Sequence, residues 1–351
     1  MKYTIKDVAD KAGVSIATVS RVINGSPVVS EKSKQKVLDI IEELRFKPSQ
    51  TARNLVMQKS NSIGVIVPEI INQFSGGILN GIEKMCSSLG FDVMIYSTKG
   101  NHEKEMRYLE LFQERNVAGI IFMAWKLMSE TIQVINDLSI PVVMVGRYAS
   151  GLNVPTVSID NFQAAYEMTN YLIEKGHRRI AFFRNSVDLD SCGVKQYSGF
   201  ERALAEAGIF IDRELVKYGE FSEERSYNIM KEIIDAGNCP TAVFATSDVM
   251  AISIMNALKD NGLDVPGDVS VVGFNDVQLS SIYRPKLTVI HQPLLSMGAE
   301  AVKMIVNEDD NLETNVADEH IADGRIVILP HKLIERDSCR AILPFGPEEG
   351  K

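Results

Sequence analysis

The residue types with the most specific chemistry lie between Ser15 and Asn24. On a helical wheel of about 100° per residue, Ile16, Ala17, Ser20, Arg21 and Asn24 fall on one side of a helix capped by Ser15. Val19, Val22 and Ile23 fall on the other. The first face is small, polar and rich in hydrogen-bond donors, which is what a helix entering a DNA major groove requires. Arg21 suits a guanine edge or a phosphate, Ile16 and Ala17 select a half-site by shape, and Thr4, Thr18 and Asn24 suit phosphate oxygens.

That face needs a support, and the flanking residues supply one. Thr4 reads as the N-cap of a preceding helix, with Asp7 completing a capping box. Val8, Ala9 and Ala12 form its apolar stripe, and Gly13 permits the left-handed turn that ends it. Ser30 caps a third helix through Leu44, with Val37, Leu38, Ile41 and Leu44 on its core face, and Pro48 closes the unit. Three helices around a tight turn make a helix-turn-helix. Residues 49–56 are long enough for about two turns of helix, which is marginal in water on nucleation grounds. They read as a linker that orders only against a partner.

Charge separates this reading from an ordinary helical hairpin. The chain carries a formal charge of −9 over 351 residues, yet up to Lys59 there are 11 Lys and Arg against 6 Asp and Glu. A basic head on an acidic body is the electrostatic footprint of phosphate binding. No apolar run reaches about 18 residues, and no signal-peptide pattern opens the chain. The 4 cysteines are scattered without a CxxC, which favours free thiols in a reducing compartment over disulfides or zinc. A cytoplasmic, nucleoid-associated protein is expected, with no membrane contact, no metal and no cofactor. Dinucleotide, P-loop, zinc-protease and nucleophile-elbow motifs are all absent, so an enzyme is not expected. His177 reads as a cation at a helix C-terminus.

From residue 62 the pattern becomes α/β. Apolar runs 63–67, 93–96, 119–122 and 142–145 alternate with helical stretches near 76–89, 103–115 and 129–138. A second series follows: runs 180–183, 216–218, 242–245 and 269–274, with helices near 162–175, 195–207, 223–236 and 247–261. Two such series predict two doubly wound parallel-sheet lobes.

The motifs Val8-Ala9-x-x-Ala12-Gly13-Val14-Ser15-x-x-Thr18-Val19-Ser20-Arg21-Val22-x-Asn24 and Ala52-Arg53-x-Leu55 resemble the signature of the LacI/GalR transcriptional regulators. The resemblance runs on through Gly176-His177-Arg178-Arg179-Ile180, Gly199-Phe200, Pro266-x-Asp268-Val269-Ser270-Val271-Val272-Gly273-Phe274 and Leu333-Ile334-x-Arg336. It implies a helix-turn-helix domain (1–47), a hinge (48–60), a core of two lobes like those of periplasmic sugar-binding proteins (61–340), and a tail (341–351). Family members cross between lobes three times, which places 61–160 plus 288–322 in one lobe and 161–287 plus 323–340 in the other. It also implies a homodimer on a palindromic operator, with Ala52 and Leu55 in the minor groove and Leu55 wedging a base step.

The resemblance further implies a small effector between the lobes, a sugar or sugar derivative. Asn72, Phe74, Trp125, Arg147, Asp160, Gln196, Phe221, Ser247 and Asn275 are the candidate contacts. Sugar- and purine-binding members usually carry Arg where this chain has Gln196, Asn-Asp where it has Ser247-Asp248, and Asp-Asp or Asp-Asn where it has Asn275-Asp276. The departures remove the strongest charged anchors. They leave open an alternative in which a phosphocarrier-type protein corepressor docks on the first lobe. The short hinge favours induction over corepression, because an inducer needs only to disfavour hinge pairing.

Overall fold

The computed structural model of the chain describes residues 3–23, 28–44, 46, 60–147, 154–185, 192–220, 222–306 and 326–342. Two units are present, Met1–Asn61 and Ser62–Lys351.

In the first unit, α1 (Ile5–Ala12), α2 (Ile16–Ile23) and α3 (Glu31–Glu43) enclose a small core. The capping box at Thr4 is complete: Asp7 N–H donates to Thr4 Oγ1 at 3.3 Å, and Thr4 N–H donates to Asp7 Oδ2 at 2.6 Å. Gly13 takes φ 63°, the left-handed conformation that closes α1. Val8, Ala9, Ala12, Val19 and Val22 are buried against Val37 and Ile40. The third helix is rotated from the expected setting. Ile40 is buried and Leu38 is 41 % exposed, because positions 37, 40, 41 and 44 keep the three-and-four spacing of one helix face and 38 does not.

The second unit holds two six-stranded sheets. The first lobe contains β1 (Ser62–Val67), α4 (Gln73–Leu89), β2 (Asp92–Ser97), α5 (His102–Glu114), β3 (Gly119–Phe122), α6 (Ser129–Asp137), β4 (Val142–Val145) and β5 (Thr156–Ile159). The second contains α7 (Asn161–Glu174), β6 (Ile180–Arg184), α8 (Cys192–Glu206), β7 (Val216–Tyr218), α9 (Glu223–Asp235), β8 (Ala242–Ala245), α10 (Asp248–Asp260), β9 (Ser270–Asn275), α11 (Gln278–Ile282) and β10 (Thr288–His291). Then α12 (Leu294–Val306) and β11 (Ile326–Leu329) return to the first lobe, and β12 (Lys332–Ile334) to the second. The strand orders are β11-β5-β4-β3-β1-β2 and β12-β10-β9-β8-β6-β7. All pairings are parallel except β10 with β12. Strands β3, β4 and β8 are buried throughout, as expected where helices cover both faces of a parallel sheet.

Two of the three expected crossings are displaced. Strand β10 pairs with β9 in the second sheet, so the return to the first lobe follows residue 291 rather than 288. Strand β11 pairs with β5 in the first sheet, so the last crossing follows Leu329 rather than residue 323. His177 is also not the cation expected at a helix C-terminus. Its ring is buried against the Arg340 carbonyl, with Nε2 and that oxygen 3.1 Å apart, and burial lowers its pKa so that the neutral form is favoured.

Candidate functional site

Parallel sheets place their connecting loops at the C-terminal strand ends, where a cleft opens between the lobes. A cavity of ≈ 400 Å³ lies there, within the roughly 300–1,000 Å³ of ligand pockets. The first lobe contributes the loop after β1 and the ends of β3 and β4. The second contributes the start of α8 and the ends of β8, β9 and β10.

Seven of the candidate effector contacts line this cavity: Asn72, Phe74, Trp125, Arg147, Gln196, Ser247 and Asn275. Asp160 does not. Its Oδ1 accepts the Gln163 N–H at 2.9 Å as the N-cap of α7, and the next residue, Asn161, lines the cavity instead. Phe221, like Asn24, Ala52 and Leu55 of the DNA-binding set, lies outside the described residues. The remaining DNA-binding candidates sit where the helical wheel puts them. Ser15, Ala17 and Arg21 are exposed, Thr18 and Ser20 half-buried, and Ile16 is 47 % exposed. An exposed isoleucine beside Ala17 and Arg21 offers the apolar contact that a thymine methyl accepts. Thr4 has a second duty, since its hydroxyl also donates to Asp7 Oδ2 at 2.7 Å.

Local geometry fixes each cleft side chain. Asn72 caps α4 by accepting the Phe74 N–H at 2.9 Å, which sets the first turn that carries Phe74. Gly100 leaves room for the Trp125 ring, which a Cβ there would meet at 2.8 Å. Arg147 is 5 % exposed and donates to the Trp125 carbonyl at 2.8 Å. Ser247 caps α10 through the Met250 N–H at 3.3 Å. Asn275, at φ 116°, accepts from Gln292 Nε2 at 2.7 Å. Away from the crossovers, and among the described residues, hydrogen bonds also tie the lobes together: Cys192 Sγ donates to the Gly146 carbonyl at 2.6 Å, and the Leu279 N–H donates to Gln73 Oε1 at 3.3 Å. Burial raises the Cys192 thiol to about 11, so it remains a protonated donor.

Two buried acids outside the candidate contacts stand near the cleft. Asp248 lines the cavity, with Oδ2 accepting the Val277 N–H at 2.7 Å and Oδ1 unpartnered among the described residues. Burial pushes it well above the usual carboxylate range. Glu105, on α5, is 2 % exposed. Burial raises it to about 7, against opposing pulls from Arg147 and Thr98. An acid whose folded pKa is raised stabilises the fold at low pH and loses that contribution as pH rises from its unfolded value to its folded one. We therefore expect stability to fall by on the order of 3 kcal/mol between about pH 4.5 and 7 from this group alone. Glu105→Gln should remove that slope in melting temperatures taken across the interval, and an unchanged slope would assign it elsewhere. Among the described residues no His, Cys, Asp or Glu cluster has metal-ligand geometry, and no helix is long and apolar enough to cross a membrane.

Comparison with known proteins converges on this arrangement. Residues 4–49 match the family described as bacterial regulatory proteins, lacI family. Residues 60–336 match periplasmic binding proteins and sugar binding domain of LacI family. The chain is 38 % identical over 338 residues to the HTH-type transcriptional regulator RegA of Clostridium saccharobutylicum, covering 96 % of this chain and 99 % of that protein. A structure of the transcriptional regulator CelR with cellobiose is 29 % identical with a TM-score of 0.69, over 96 % of this chain and 99 % of that one. The lac repressor dimer bound to operator and an anti-inducer shares the fold, with a TM-score of 0.83 at 24 % identity over 97 % of this chain and 100 % of that one.

Proposed function

The chain belongs to the LacI family of bacterial regulatory proteins, a family of DNA-binding transcriptional regulators with an effector-binding core, and from that premise we propose that it is a cytoplasmic, homodimeric repressor of carbohydrate-related genes. A two-fold axis relating two heads matches inverted half-sites. In each head Arg21 reads a base edge, Ile16 and Ala17 select by shape, and Thr4, Thr18 and Asn24 hold phosphates. The hinge, with Ala52 and Leu55, enters the minor groove.

The observation that carries the effector reading is the convergence of seven candidate side chains on one cavity between the lobes. Its chemistry is mixed, with aromatic and amide groups beside a few charged ones. Aromatic faces from Phe74 and Trp125 suit sugar C–H surfaces, and amides such as Asn72, Gln196 and Asn275 suit hydroxyls. The cellobiose-bound relative supports the same ligand class. The short hinge favours an inducer, which binds one lobe arrangement better and weakens hinge pairing. A tenfold effect on operator affinity needs about 1.4 kcal/mol of preference.

Calorimetry with a panel of sugars, sugar phosphates and nucleosides tests the effector, and operator titration with the bound ligand tests its direction. Tighter operator binding with ligand would make it a corepressor. No saturable binding would turn the reading towards a protein partner on the first lobe. In the same titration Arg21→Ala should cost about 1–3 kcal/mol, mostly as lost discrimination between operator and random DNA. Unchanged discrimination would remove Arg21 from base readout.

A further inference from the structure

A chain of hydrogen bonds ending at Gln196 fixes which atom of that side chain the cleft meets. It begins at the Ile159 carbonyl, which only accepts. Asn161 Nδ2 donates to that carbonyl at 3.3 Å and to Ser158 Oγ at 3.4 Å. The nitrogen of Asn161 is therefore held against the backbone, and its oxygen faces Gln196. Because an amide oxygen has no hydrogen to give, Gln196 must approach with Nε2, and it does so at 3.1 Å. The opposite face of the amide is Oε1. That oxygen takes no hydrogen bond among the described residues and is not sealed from solvent, and Gln196 lines the cavity. Where sugar-binding relatives usually present the donors of an arginine, Gln196 has one N–H committed to Asn161 and offers Oε1 as an acceptor.

The surrounding charge acts in the same direction. Arg147 is the cation of the described lining; its guanidinium already donates to the Trp125 carbonyl, and its charge acts on the buried Glu105. Glu69 and Glu223 add carboxylates to the same lining. A phosphate or carboxylate set against Gln196 Oε1 would pair acceptor with acceptor and lose its hydration without replacement.

We infer that the cleft selects against anionic effectors and takes a neutral or amino sugar that donates a hydroxyl or ammonium hydrogen to Gln196 Oε1. Asn161 is the positioning residue that enforces this polarity. The inference rests on the carbohydrate reading above, and it narrows the effector to ligands without phosphate or carboxylate.

The test uses the full-length protein and four probes: cellobiose and glucosamine against glucose 6-phosphate and galacturonate, titrated by calorimetry. We expect the wild type to bind a neutral or cationic probe at least tenfold tighter than either anionic one. Gln196→Arg should shift that ratio at least tenfold towards the anions. Asn161→Leu, which frees the glutamine to turn over, should move the ratio towards unity with the melting transition retained. A wild type that prefers an anionic sugar overturns the inference and leaves the carbohydrate reading standing. If no probe binds, the carbohydrate reading fails, and the amide itself decides the polarity. With 15N-glutamine labelling, the Gln196 side-chain signal is the one missing from Gln196→Arg. Slow solvent exchange of that signal, made fast by Asn161→Leu, supports the fixed orientation. Equally fast exchange in both proteins overturns it.

Discussion

Gly81→Val should cost about 3 kcal/mol or more and lower the melting temperature of the two-lobed unit more than any surface substitution. Helices α4 and α12 cross at closest approach through paired glycines. A Cβ at Gly81 would lie 2.0 Å from the Leu295 carbonyl oxygen, and one at Gly298 would lie 2.1 Å from the Ile78 carbonyl oxygen. Both obstacles are backbone, so no rotamer change relieves them, and the helices must separate. Separation opens the core formed by Ile78, Ile82, Met297 and Ala301 against the first sheet. Gly76 lies on the same helix with nothing within 4 Å of its Cβ position. Gly76→Ala should therefore stabilise, by roughly 0.5–1 kcal/mol, through helix propensity alone. Urea unfolding of the two variants gives both values. Equal effects of the same sign would show that the crossing tolerates side chains.

The same contrast explains what sequence alone could reveal. Strands β3, β4 and β8 match the apolar runs from which they were expected, because a fully buried parallel strand leaves an uninterrupted apolar signature. The caps at Thr4, Ser15 and Ser30 were equally legible, being local exchanges within three residues. Membership of a lobe was not. Thr288-Val289-Ile290-His291 was expected to open the return to the first lobe, yet its pairing with β9 assigns it to the second sheet. Leu38 and Ile40 illustrate a smaller version, in which the helix was evident and its rotation was set by α1 and α2.

The cleft divides along the same line. Positions at strand ends followed from family resemblance, but the hydrogen-bond state of each side chain depends on partners far away in sequence. Asp160 was an attractive crossover residue, and its carboxylate instead accepts from Gln163 in its own helix. Glu105 was an inconspicuous acid on a helix, and Asp248 was noticed only as part of a family motif. Burial makes them chemically distinct, and no sequence window contains the residues that bury them.

Arg336→Met should cost about 3 kcal/mol, the low end of the range for removing one partner of a buried ion pair because this pair is only partly buried, and should also weaken effector binding. Arg336 and Asp276 meet at 2.6 Å with side chains 17 % and 16 % exposed. The same guanidinium donates to the Leu287 carbonyl at 2.8 Å and to Ser280 Oγ at 3.1 Å. Asp276 also accepts from Ser280 at 2.9 Å and lies 2.9 Å from His291 Nδ1. This cluster holds a strained turn, since Asn275 and Asp276 take φ 116° and 61°, and Asn275 is the residue that reaches the cavity.

Burial alone would raise the Asp276 pKa, but hydrogen bonds from Arg336, Ser280 and His291 outweigh it and hold the carboxylate below its ordinary value of 3.8. A depressed acid contributes stability above its unfolded pKa and loses it as pH falls through the folded one. Its contribution is thus intact at neutral pH, opposite in direction to that of Glu105. Without Arg336 the burial effect is no longer outweighed by the same partners, and protonation of Asp276 relieves the uncompensated charge. The deficit of Arg336→Met should therefore be largest at neutral and alkaline pH and shrink on acidification. Pairing it with Asp276→Asn should recover part of the loss, because the stranded carboxylate is then removed. Denaturant unfolding at several pH values, with effector titration alongside, measures both consequences. A pH-independent loss would mean that Arg336 acts by packing and not by charge. Loss of stability with unchanged effector affinity would show that the Asn275 turn keeps its shape without the pair.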